Sequence, residues 1–282
     1  MKNEHFDTLV RVLSGGATRR GVLAAVAGVA GLQVTETAAG RRKHAQRRTR
    51  QRSAGSGDAK ARRESCPPVT ESLIDIAINE CPKNPAESIA ILSAFYPGYW
   101  WDHTDLTVAV QAHPGADCTL IAAAREAITI WNAVLTADPE LNIVTLTDVT
   151  DTQSPAHKAD IVLHYVPHAG GTVFAGYAIC GEHKCNNVIV SSDAPKPLGI
   201  PQYSPEYLGW VTLHELGHAL GLGHAEPLEE NNDLMGYGWP SPEPVLSPCD
   251  LKALKVVFEW AILDPAGEPY PPSVDSVECD PC

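Results

Sequence analysis

The chain reads as an α+β protein. Three observations predict this. Short runs rich in β-branched residues recur at strand length. One long stretch repeats apolar residues at three- and four-residue spacing. The 23 Pro and 22 Gly among 282 residues break the remainder into loops. Leu106-Thr-Val-Ala-Val110 is the first strand candidate. Asp117 to Leu135 reads as a helix, with Ile121, Ala124, Ile128, Trp131 and Leu135 forming one apolar stripe. Leu141 to Leu146, Ala159 to Val166, Gly171 to Ala175 and Val188 to Val190 complete the strand candidates. Upstream, Leu73, Ile74, Ile76, Ala77 and Ile78 suggest a short buried helix between Cys66 and Cys81, and Ala86 to Ala94 suggests a second.

Charge divides the chain. Residues 1–63 carry 14 Lys/Arg against 4 Asp/Glu, a net of +10, whereas residues 64–282 carry 7 against 30, a net of −23. The acidic body disfavours nucleic acid, because phosphate contacts need clustered cations. Solubility through self-repulsion explains the acidity. Calcium binding is the alternative, with Asp193, Glu226, Glu229, Glu230 and Asp233 as candidates.

The first 39 residues have the order of an export signal. Thr18-Arg19-Arg20-Gly21-Val22-Leu23 precedes an apolar run ending at Leu32, and Thr37-Ala38-Ala39 offers small residues for cleavage. The paired arginines resemble a twin-arginine signal, although Val22 and Ala24 depart from its usual pattern. A general secretory signal is the alternative. Gly21 to Leu32 is too short for a spanning helix, which needs about 20 residues, so no lasting membrane anchor is expected there, and no other segment looks apolar enough. Residues 40–65 read as a basic, disordered linker. Residues 66–95 form a small helical N-terminal or pro-segment, 96–265 the main domain and 266–282 a tail. Eight cysteines in an exported chain imply disulfides. Cys180 and Cys185 flank a tight turn that a disulfide can pin. Cys279-Asp280-Pro281-Cys282 has the spacing of a zinc or redox pair but lacks a second pair to complete it.

The chemistry concentrates in His214-Glu215-Leu216-Gly217-His218-Ala219-Leu220-Gly221-Leu222-Gly223-His224. Residues i and i+4 share a helix face, so His214 and His218 can address one ion. Gly221 lets the chain leave the helix, and His224 can return as third ligand. Three histidines leave a tetrahedral zinc one open position, the mark of a catalytic site. Glu215 can serve as general base toward a water there. The competing reading is a set of core histidines. At this chain's own residue frequencies the five fixed positions coincide on the order of once in 10,000 such chains.

This segment resembles the metzincin metallopeptidases, whose motif HExxHxxGxxH it matches at every fixed position. Asp233-Leu234-Met235-Gly236-Tyr237 is similar to the family's Met-turn, and the short span to Met235 looks most like matrixins. The resemblance implies a zincin fold of this α+β kind: a small twisted mixed sheet, the active-site helix below it, and an irregular C-terminal subdomain. It implies a secreted zinc endopeptidase, with His214, His218 and His224 on the metal and Glu215 as base. Its substrate would be an extended polypeptide, matrix protein included, lying along an edge strand near Val173 to Ala175. Leu246 to Leu254 looks like the closing helix, with Ser247 as N-cap and Asp250 three residues on. Two departures stand out. Tyr237, two residues after the Met, resembles the astacin and serralysin tyrosine, which can ligate zinc or stabilise the tetrahedral intermediate; a packing role is the alternative. The cysteine-switch segment is absent. His164, His168 and His183 lie near where matrixins bind a second zinc, but not in that pattern. A monomer is expected. The alternative function is a catalytically silent zinc protein or adhesion module on the same fold.

Overall fold

The computed structural model describes residues 72–82, 88–91, 100–113, 116–151, 158–167, 175–180, 184–192, 204–226, 232–236 and 244–279, with backbone only for 88–91 and 226. All fall within the unit Arg63–Cys282. The export signal, the basic linker, Cys66, His168, Val173, His183, Asp193, Glu229, Glu230, Tyr237 and Cys282 lie outside the described residues.

A five-stranded mixed sheet forms the upper part. Its strands are β3 (Asp105–Ala112), β4 (Thr145–Asp148), β5 (Ile161–Val166), β6 (Gly176–Ile179) and β7 (Asn187–Ser191), in the order β4-β3-β5-β7-β6. The first three pairings are parallel, and β6 runs antiparallel to β7. Leu106, Val108, Val110, Ile161, Leu163 and Val188 are buried, as expected of parallel strands covered by helices. Residues 171–174 of the expected Gly171 to Ala175 strand lie outside the described residues; Ala175 is not in a strand, and the described edge strand starts at Gly176. The second strand candidate begins late. Asp138 Oδ1 accepts the amides of Glu140 (2.9 Å) and Leu141 (3.3 Å), and this turn delays extended backbone until Thr145.

Helix α1 (Cys118–Ala137) starts where Asp117 accepts the amide of Thr119. Its expected stripe is buried, apart from half-buried Ile121. Contrary to the sequence expectation, α1 is long and apolar enough by composition to cross a membrane. Here its Leu120, Ala124, Ile128, Trp131 and Leu135 enter the core. Helix α2 (Pro205–Leu220) carries the histidine motif. Ser204 caps it by accepting the Tyr207 amide, Pro205 occupies its first turn, and Gly221 ends it at φ 116°. Helix α3 (Pro248–Val257) has the expected Ser247/Asp250 capping box, and α4 (Glu259–Leu263) follows it.

Both helices expected upstream are strands. Ala77–Ile78 forms β1, parallel to β9 (Val245–Leu246). Ser88–Ile91 forms β2, central in a second sheet of order β10-β2-β8, with β8 at Leu222–Glu226 and β10 at Ser276–Glu278. For the first segment the reason lies in spacing: Ile74, Ile76 and Ile78 alternate at period two, which suits extended backbone rather than a helix. Ile74 is buried in a notch over Gly209, where a Cβ would stand 2.5 Å from its Cγ1. Trp210 Nε1 donates to Asp75 O (2.9 Å), and Glu126 Oε2 accepts the Leu73 amide (2.8 Å).

Disulfides join Cys180 to Cys185 and Cys249 to Cys279, and Cys81 and Cys118 are also disulfide-bonded. Cys279 is therefore no free thiolate. Such bonds accord with an oxidising, extracellular compartment.

Candidate metal centre

His214 and His218 project from one face of α2, and His224 returns from β8. One ligand nitrogen from each lies within 4.8 Å of the others. The rings of His214 and His218 are 4.6 Å apart, as are those of His218 and His224. Gly221 makes the return possible. Its positive φ suits glycine alone, and a Cβ there would stand 2.7 Å from Val257 Cγ1.

Backbone carbonyls orient two of the rings. His214 Nδ1 donates to Leu234 O (2.6 Å) and His218 Nδ1 to Leu222 O (2.7 Å). Each Nδ1 thus keeps its proton and leaves a lone pair on Nε2, the usual arrangement of a metal-ligating histidine. His218 Nε2 faces His224 Nε2 at 3.2 Å. Burial lowers the pKa of all three. His218 falls to about 3, helped by neighbouring His214, and His224 falls well below the usual range through burial and then its two histidine neighbours. Imidazoles held neutral in this way are ready ligands.

Glu215 points from the same helix and is 5% exposed. Its Oε2 is buried without a hydrogen-bond partner, and burial pushes its carboxyl up to about 8. An unsatisfied buried carboxylate oxygen marks a place where a further polar group belongs. Gly176 of the edge strand lies against it: a Cβ there would stand 2.9 Å from Glu215 Oε1 and 2.8 Å from Val211 Cγ1.

Met235 lies buried under the helix, and a Cβ on Gly217 would stand 2.4 Å from its Sδ. The turn at Met235 is tied to β8 through Ala225 N to Met235 O, 2.7 Å. Asp233 opens that turn by accepting the Met235 amide (2.9 Å), which occupies one oxygen of an expected calcium candidate. His164 Nε2 pairs with Asn187 Oδ1 (3.1 Å) and belongs to no metal cluster among the described residues.

Several supports of the site have no signal in the sequence. Trp131 Nε1 donates to Leu213 O (3.0 Å) and Trp101 Nε1 to Ala219 O (2.8 Å). Tyr165 and Thr212 share a buried hydroxyl contact of 2.7 Å. In sequence Trp131 is one member of an apolar stripe; nothing local marks where its indole N–H is used.

The described residues thus define a mixed α+β protein with a three-histidine group, His218 buried and His214 and His224 half-buried, able to hold a metal ion. No protein-family model matches the chain, and no curated protein matches it.

Proposed function

We propose that the protein is a secreted zinc-dependent endopeptidase of metzincin type. The observation that carries this reading is the convergence of His214, His218 and His224 beside Glu215, whose Oε2 is buried and unpartnered. A tetrahedral zinc with nitrogens at about 2.0–2.1 Å sets them about 3.3–3.4 Å apart; the Nε2 atoms of His218 and His224 are 3.2 Å apart. The buried turn at Met235 beneath the helix and the antiparallel edge strand β6 also suit a metzincin.

When bound, zinc supplies Lewis acidity to the reacting water and carbonyl. Glu215 accepts the water proton and passes it to the leaving amine. A cation beside Glu215 favours its ionised form, opposing the burial that raises its pKa. The substrate lies extended and pairs its backbone with β6. That strand ends the sheet order, so its outer side has no strand partner among the described residues. The paired arginines of the leader support export.

The test is casein cleavage by the purified secreted protein. Chelation should abolish it and zinc should restore it. Glu215→Ala should lower the rate by about 10²–10⁴-fold while keeping the metal. Equal rates for Glu215→Ala and the parent would leave a silent zinc protein as the better reading.

A further inference from the structure

We infer that β2, a strand from the N-terminal extension, positions the third metal ligand and is therefore part of the mature protein. The inference rests on the metal-site reading above.

The register carries it. Ser88 pairs with Glu226 and Ile89 with Ala225, but Ile91 pairs with Leu222. Two steps along β2 thus match three along β8. The extra residue lies at Gly223–His224, opposite Ala90. Such a bulge re-aims a side chain and is typical next to functional sites.

The phase of the strand shows what is re-aimed. Leu222 and Ala225 are both fully buried, although residues three apart on a regular strand face opposite sides. Without the shift, His224 would share the face of Leu222. With it, Leu222 and Ala225 can both face inward, and His224 turns to the opposite side, where His218 lies. The same irregular stretch presents Leu222 O to His218 Nδ1. Two ligands therefore depend on it.

On its other side β8 is held by Ala225 N to Met235 O and by the Ala225–Gly236 bridge. Behind β2, β10 pairs Ser276 with Ala90 and Val277 with Ile89, and Cys249–Cys279 ties β10 to α3. Removing β2 would strip backbone partners from the strand that bears the ligand.

Intact-mass and N-terminal analysis of the secreted protein is the first test. The zinc-loaded form should begin at or before Ser88. A form beginning after Ile91 that binds zinc as tightly as the longer chain would overturn the inference. The second test is cobalt titration of full-length Ala90→Pro, since proline in a central strand breaks the ladder. Affinity should fall about 10–100-fold, the usual effect of losing a group that orients a ligand. The fall should be smaller in a His224→Ala background, where only the contact of Leu222 O with His218 is left to lose. An unchanged affinity, or the same fall in both backgrounds, would overturn it. If His224→Ala itself leaves affinity unchanged, the three-histidine reading fails instead.

Discussion

Two halves of the metal centre reach the same point by different means. His214 and His218 sit four residues apart on α2, and the helix alone puts them on one face. Indole donors, the Tyr165–Thr212 contact and the turn at Met235 then hold that helix. His224 has no such local geometry. It depends on β8, whose partners come from residues 88–91 on one side and 236 on the other. One half is dictated by neighbours in sequence, the other by neighbours in space.

The comparison is tested hardest at Gly221, where the halves join. Gly221→Ala forces a left-handed residue and a contact with Val257, and should cost about 2–4 kcal/mol. Urea unfolding of the metal-free protein measures this. A cost below 1 kcal/mol would mean that the joint is softer than described.

Gly217→Ala addresses the helical half. Its Cβ meets Met235 Sδ at 2.4 Å, so overpacking should cost about 1–3 kcal/mol. Displacing the turn also shifts Leu234 O, the partner of His214. His214 should therefore loosen before His224, which NMR of the histidine ring nitrogens in the metal-loaded protein can follow.

The smallest effect concerns Asp233 and Asp250, which link the turn at Met235 to the start of α3. Burial raises both carboxyls, and Asp233 raises Asp250 further. The folded state then binds protons more tightly than the unfolded chain. This contribution is greatest below the unfolded carboxyl pKa of about 4 and is lost as pH rises toward the folded values. Asp250→Asn mimics the protonated partner and keeps an acceptor for the Ser247 amide. Relative to the parent, its urea midpoint should improve from pH 5 to pH 7.5, with no loss at the higher pH. A constant difference across that range would show that the pair does not share a proton.

What the sequence discloses follows the same division. His214, Glu215 and His218 are readable because helical periodicity is local. Ser247 and Asp250 are readable because a capping box spans three residues. The segments that form β1 and β2 read as helices in sequence. Their apolar residues are too few to fix a period against competing alternation, and their partners, β9 and β8, lie far along the chain. The bulge at His224 is invisible without the strand opposite it. Tyr237, whose chemistry the family resemblance raised, lies outside the described residues.

Strand order also sets a schedule. The sheet behind His224 runs β10-β2-β8, joining the early part of the chain to its end. A growing chain can wind α2 once that helix emerges, because its backbone hydrogen bonds span only about four residues and the partners that hold it, Trp101, Trp131 and Tyr165, have already been made. The third ligand must wait for a long loop to close, and the outer edge of its sheet is complete only after residues 276–279 and the Cys249–Cys279 bond are in place. Synthesis can thus leave an interval in which the chain holds two ligands on a finished helix and has yet to fix the third.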